Sequence, residues 1–228
     1  MTKRILIVGA TGLVGRHLTE ILAQYRPQYD IHILIRRALG PDEPAFPVNI
    51  TVHIAPPEEW SAQIAQIKPD AAASCLGTTI RDAGSQAAFR AVDLELVADV
   101  AQAAKTAGCG HFLSVSSLSA NSKAALFYMR TKGEAEDAIR ACGFARTDIM
   151  QPGLLRGDRR GPVRYAENFA AIISPLSDMM LWGAMRKYRS IAGRDVARAM
   201  AALLAEEGAG DFIHTHDDIV RFAAKIGG

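Results

Sequence analysis

A glycine-spaced turn near the start constrains this chain more than anything else in it. Residues 4–8, RILIV, are a short run of branched aliphatics after one arginine and read as a buried strand. GATGLVG follows and sets Gly9, Gly12 and Gly15 three apart, before RHLTEILAQY continues with Leu18, Ile21 and Leu22 at helical spacing. Strand, glycine turn and helix together give such glycines their meaning. The first permits a tight turn, the second lets the backbone approach a pyrophosphate, and the third lets the helix pack close on the strand. The free N–H groups at the helix start suit phosphate. Gly9, Thr11, Gly12, Leu13, Val14 and Gly15 are therefore candidate phosphate-side residues.

The rest of the chain repeats the alternation. DIHILIRR, ITVHI, DAAASCLG, HFLSVSS and ARTDIMQPG read as strands. EEWSAQIAQIK, residues 85–107 and residues 122–142 read as helices. Continuous apolar strands between helices predict an α/β fold, a doubly wound parallel sheet covered on both faces. After Pro152 the pattern fades. Residues 154–190 read as irregular and partly helical, followed by the helix DVARAMAALLAEE, a strand DFIHT and the helix DDIVRFAAKI. We expect one domain over residues 1–228, with roughly residues 154–228 forming a small C-terminal cap on the carboxyl edge of the sheet, where such folds bind ligands.

A formal net charge of +2 gives no basic footprint for nucleic acid. Cys75, Cys109 and Cys142 are widely spaced with no CxxC pair, and read as small apolar residues of a reducing compartment. The start imitates a signal peptide but lacks a cleavage pattern. No stretch reaches the roughly 18 apolar residues of a membrane span. These features predict a cytoplasmic protein that leaves membranes and nucleic acid alone and takes a small-molecule substrate, as monomer or homodimer.

The strand after the glycine helix ends near the site of an adenosine ribose. There an acidic residue selects the free 2′-hydroxyl. This chain has Arg36 and Arg37 instead, and Asp30 stands at the wrong end. Guanidinium groups match a 2′-phosphate. The expected cofactor is NADP(H), with Arg36 the main contact and Arg37 supporting. The alternative is a solvated strand end.

YMRTKG sets Tyr128 and Lys132 on one helix face. A neighbouring ammonium favours tyrosinate, which suits a tyrosine that trades a proton with a carbonyl oxygen. YxxxK alone is common, but this one follows the strand ending VSS within one α/β unit.

The GxxGxxG spacing and this Ser, Tyr, Lys order resemble the extended and atypical short-chain dehydrogenase/reductases, which implies the NAD(P)-binding Rossmann fold. In that family a serine closes the strand before the YxxxK helix. Ser116 and Ser117 compete for the role and Ser119 is a further candidate; aligning SVSS with the family's strand end selects Ser117. The family's extra asparagine near the fourth strand is not evident. CLGTTIRDAGSQAAFRAVDLELV, HFLSVSSLSA and YMRTKGEAE together look like the Tat-interacting-protein-like oxidoreductases, an atypical branch. That resemblance implies cofactor contacts at Gly77, Thr78 and Thr79, and at Pro152, Gly153 and Leu154 beside the nicotinamide.

The function so implied is an NADP(H)-dependent oxidoreductase acting on a small carbonyl or alcohol, with Ser117, Tyr128 and Lys132 catalytic. Its rivals are a cofactor-binding regulator without turnover and a nucleotide-sugar epimerase or dehydratase. Arg156, Arg159, Arg160 and Arg164 grip an anion or form a solvated loop. Phe169, Met179, Met180, Trp182 and Tyr188 wall a substrate pocket or pack the cap. His17, His111, His214 and His216 have no spacing that spells a metal site.

Overall fold

The computed structural model describes residues 2–157, 186 and 188–227. Its core is a parallel sheet of β1 (Arg4–Val8), β2 (Asp30–Ile35), β3 (Ile50–Ile54), β4 (Ala71–Ser74), β5 (His111–Val115), β6 (Arg146–Met150) and β9 (Gly210–His214). The order across the sheet is β3-β2-β1-β4-β5-β6-β9. The chain winds outward from β1 to β3, returns to β4 on the other side of β1, and then runs outward again. The direction reverses between β1 and β4, and their carboxyl ends open a crevice there. A separate pair, β7 (Leu155–Arg156) and β8 (Ile191–Ala192), lies beyond β6 in sequence.

Strands buried on both faces must be apolar throughout, which is why RILIV lacks polar alternation. Ile5 and Ile7 face α1 (Leu13–Tyr25), α7 (Gly193–Leu203) and α8 (His216–Ala223), where Leu18, Val196, Met200 and Ile219 are buried. Leu6 and Val8 face the opposite core, with Ile64 of α2 (Trp60–Ile67), Val100 of α5 (Leu96–Thr106) and Ile139 of α6 (Phe127–Ala141). The stretch from Gly193 onward thus supplies the seventh strand of the sheet and two helices of its α1 face.

Two helices differ from the sequence expectation. The one expected over residues 122–142 begins at Phe127. A Cβ on Gly133 would lie 2.1 Å from backbone atoms of Asn121 and Ser122, so that segment folds back onto α6 instead of extending it. Asn121 also turns the chain, its side-chain oxygen accepting from the Lys123 N–H at 2.8 Å. The helix expected over residues 85–107 is instead built in pieces. Ser85 caps α4 (Gln86–Arg90), accepting from the Ala88 N–H at 3.1 Å. A π-helical turn follows at Ala91–Glu95 before α5. The turn shifts the buried stripe from Val92 and Leu96 to Asp93 and Val97.

Candidate active site

Three glycines make the first wall. Gly9 has φ +75°, and a Cβ there would lie 2.5 Å from the carbonyl of Cys75, where β1 and β4 end side by side. A Cβ on Gly15 would lie 2.3 Å from the Gly9 oxygen, so helix and turn meet at backbone distance. Gly12 begins α1 without any side-chain cap, which leaves first-turn N–H groups for an anion. Thr11 and Gly12 are exposed at the crevice, while Val14 and Gly15 are buried. These features fit a nucleotide pyrophosphate.

At the adenosine end the two arginines separate. Arg37 pairs with both Glu43 carboxylate oxygens, at 2.6 and 3.1 Å. The Arg37 guanidinium and the Gly40 N–H hold the Glu43 carboxyl down at about 2. Arg36 is exposed and has no ion-pair partner among the described residues. Asp30, at the far end of β2, is paired with Arg4 and His32.

Beyond β4, Thr79 caps the short helix α3 (Ile80–Ala83), accepting from the Asp82 N–H at 3.0 Å. The Thr78 N–H donates to Asp93 Oδ2 at 2.8 Å. The other oxygen of Asp93 lies 2.7 Å from Lys132 Nζ, and the two side chains are 0% and 8% exposed. A Cβ on Gly77 would lie 3.6 Å from that Nζ, so the ammonium sits against the Gly77 turn.

The serines divide as clearly. Ser116 Oγ donates to Glu136 Oε1 at 2.5 Å. Glu136 is buried and also accepts from Gln151 at 2.9 Å and pairs with Arg140 at 3.0 Å. Ser117 Oγ is buried with no hydrogen-bond partner among the described residues, as are the Ser74, Thr131 and Thr147 hydroxyls. Ser119 takes a left-handed φ of +65°. Tyr128 is 37% exposed, and its ring leans on Phe89 at 5.5 Å between centroids.

The segments holding Ser117 and Pro152 are tied together, since the Leu118 N–H donates to the Pro152 oxygen at 2.9 Å. Gly153 and Leu154 follow, half-buried. A Cβ on Gly157 or Gly193 would meet the Leu13 side chain at 2.9 or 2.6 Å, so both ends of the C-terminal excursion rest on the first residue of α1.

Sequence reasoning did not single out Asp93 or Glu136. The signal was present for both. Asp93 is a charge four residues after Phe89 on a buried stripe, and Glu136 is one turn beyond Lys132. Nor did it join His111 to His214, which both contact Asp148 at 2.7 Å. Of the residues expected to line a loop or pocket, Arg159, Arg160, Arg164, Phe169, Met179, Met180 and Trp182 lie outside the described residues. Arg156 is exposed and Tyr188 is 40% exposed. All three cysteines are free, and burial pushes the Cys75 thiol up to about 12 and the Cys109 thiol up to about 11. Among the described residues no group of His, Cys, Asp and Glu is placed to hold a metal, and no helix is long and apolar enough to cross a membrane.

Comparisons with known proteins agree on the fold. A family model described as the NAD dependent epimerase/dehydratase family matches residues 5–213. "Protein fmp52, mitochondrial" of Aspergillus clavatus is 30% identical, over 97% of this chain and 98% of that protein. "Protein FMP52, mitochondrial" of Debaryomyces hansenii is 33% identical, over 88% of this chain and 87% of that protein. Among solved structures, a putative NAD-dependent epimerase/dehydratase from Bacillus halodurans aligns with TM-score 0.68 and 21% identity, over 98% of this chain and 99% of that one. Bordetella bronchiseptica WbmG, solved in complex with NAD, aligns with TM-score 0.65 and 18% identity, over 100% of this chain and 79% of that one. The relatives' mitochondrial names overturn the cytoplasmic expectation, which rested on the unpaired cysteines, the lack of a cleavage pattern and the lack of an apolar span. With its glycine turn, its seven-stranded parallel sheet and a family match over most of its length, this chain belongs to the NAD-dependent epimerase/dehydratase family.

Proposed function

We propose that the chain is an NADP(H)-dependent oxidoreductase of the short-chain dehydrogenase/reductase type that reduces a small carbonyl or oxidises the corresponding alcohol. One observation carries this reading. Lys132, one helical turn from Tyr128, holds its ammonium against the Gly77 turn at the strand ends that the three glycines also border. A bound nicotinamide supplies the hydride. Tyr128 gives a proton to the carbonyl oxygen as hydride reaches the carbon, and takes it back in the reverse direction. Lys132 stabilises the tyrosinate left behind and holds the nicotinamide ribose. Ser117, its hydroxyl without a partner among the described residues, donates to the same oxygen. Thr11, Gly12 and Leu13 hold the pyrophosphate, with Pro152, Gly153 and Leu154 beside the nicotinamide.

Arg36, exposed and without an ion-pair partner among the described residues, supports a 2′-phosphate, while Arg37 is taken by Glu43. The run from Cys75 to Val97 supports the finer placement in the Tat-interacting-protein-like branch.

Titration with NADPH and NADH, followed by nicotinamide fluorescence, tests the cofactor. NADPH is expected to bind more tightly, and Arg36→Asp to lose that preference. A carbonyl panel then tests the reaction, with Tyr128→Phe expected to lower turnover by about 10²-fold or more while cofactor affinity holds. Full activity in that variant would defeat the role of Tyr128.

The family match favours a second reading, a sugar-nucleotide epimerase, since WbmG was solved with NAD and UDP. Nucleotide that copurifies and survives dilution, with interconversion of sugar nucleotides, would select it.

A further inference from the structure

Lys132 does not stand alone beneath the cofactor turn. Asp93 reaches it from the π-helical turn Ala91–Glu95, across the narrow space between the helices and the sheet. Its two oxygens do different work. Oδ1 faces the Lys132 ammonium at 2.7 Å, and Oδ2 accepts the Thr78 N–H at 2.8 Å. One carboxylate therefore fastens the Gly77–Thr79 turn to the lysine of α6. Asp93 lies within this π turn, four residues after the buried Phe89 and four before the buried Val97, on the inward stripe.

We propose that Asp93 is a positioning residue that keeps Lys132 charged and aimed at the cofactor turn. This rests on the reading of Lys132 given above. A buried ammonium without a counter-charge gives up its proton or swings to solvent. The surroundings leave Asp93 as the counter-charge. The cavity around Lys132 is lined by Asp93, Ser114, Ser116 and Glu136 as its other polar residues. Glu136 is engaged by Ser116, Gln151 and Arg140. Among the described residues Tyr128 is one turn back on α6, β5 lines the cavity with Ser114 while its His111 is held by Asp148, and Ser116 follows the strand.

The test titrates NADPH and NADH against wild type, Asp93→Asn and the double variant Asp93→Asn/Lys132→Met. It spans roughly pH 6 to 9, where a lysine stripped of its partner loses its proton, and the melting temperature of each protein is recorded. Asp93→Asn keeps an acceptor for Thr78 and removes only the charge. Its cofactor affinity is expected to fall about tenfold or more as pH rises, while wild type shows no such trend. Adding Lys132→Met is expected to abolish the trend and to restore most of the melting temperature lost in the single variant. Wild-type affinity at every pH in Asp93→Asn, or a trend that survives Lys132→Met, overturns the proposal. If Asp93→Asn does not fold, refolding of the double variant supports the pair, and failure of both overturns it. Wild type that binds neither nucleotide defeats the proposed function. Wild type that binds, with Asp93→Asn indistinguishable from it, defeats only the role of Asp93.

Discussion

Asp93 and Asp148 both have fully buried side chains, yet they are partnered in opposite ways. Asp148, in the middle of β6, receives His111 Nε2 and His214 Nε2 at 2.7 Å each, and Arg146 Nε at 2.6 Å and Nη2 at 3.0 Å. Four donors from three adjacent strands use up what a carboxylate can accept. Arg146 also caps the Glu207 carbonyl at 3.1 Å and lies over the Phe212 ring at 4.6 Å. Asp93 has one amide and one cation, and its cation is the lysine beside the cofactor turn. A saturated carboxylate shared among strands is a staple. A sparsely partnered one, tied to a lysine at the crevice, is the positioning residue we propose.

The sharpest way to break this contrast is Asp148→Ala. Removing the acceptor leaves a buried guanidinium and two imidazoles without their partner, at an expected cost of about 3–5 kcal/mol. Urea unfolding measures it. A cost no larger than that of Asp137→Ala, at a surface ion pair, would erase the distinction.

Acid should expose the staple in two stages. Burial holds the His111 imidazole below its ordinary range, against the pull of Asp148. The stability this contributes is present above about pH 6.5, where the unfolded imidazole is neutral, and is lost as pH falls through that value. Burial would raise the Asp148 carboxyl, but hydrogen bonds from His111, His214 and Arg146 override it and hold the group well below the usual range. That contribution is present above about pH 4 and drains away below it. Both stages are read as falls in unfolding free energy measured against pH. His111→Asn should remove the first stage. A stability profile flat down to about pH 5 would show that His111 is not held neutral.

The smallest effect on stability belongs to the other pole. A Cβ on Gly77 would meet Asp93 Oδ1 at 3.5 Å and Lys132 Nζ at 3.6 Å, both ordinary contacts. Gly77→Ala should therefore change stability by no more than about 0.5 kcal/mol, yet cover the ammonium and weaken cofactor binding by about tenfold. Unchanged affinity would mean that the cofactor does not approach Lys132 across this turn.

What the sequence revealed tracks how local each cause is. GATGLVG announced its turn because glycine alone tolerates the φ of Gly9 and the backbone approach at Gly15, and both needs are written within seven residues. The strands were readable because burial on both faces demands apolar runs. Asp93 was passed over although it stands four residues after Phe89, because its partners, Lys132 and the Thr78 N–H, meet it only in the folded chain. The start of α6 was misplaced because the reason, the Asn121–Ser122 backbone lying on Gly133, is a tertiary contact. The sequence ranked Arg36 above Arg37 but did not show what separates them: Glu43, six residues past Arg37, is brought to it by the turn that joins the Glu43 N–H to the Gly40 oxygen.

Leu13 rests in the notch between Gly157 and Gly193, and Lys3 Nζ donates to the Leu204 oxygen at 2.6 Å, across 201 positions of chain. This has a consequence for the order of assembly. The glycine turn leaves the ribosome some 180 residues before α7, which packs on its helix. Pairings that close such long loops form late and slowly. The glycine turn is thus made long before it is finished, and in the interval α1 carries an apolar face that a nascent chain must keep from other chains.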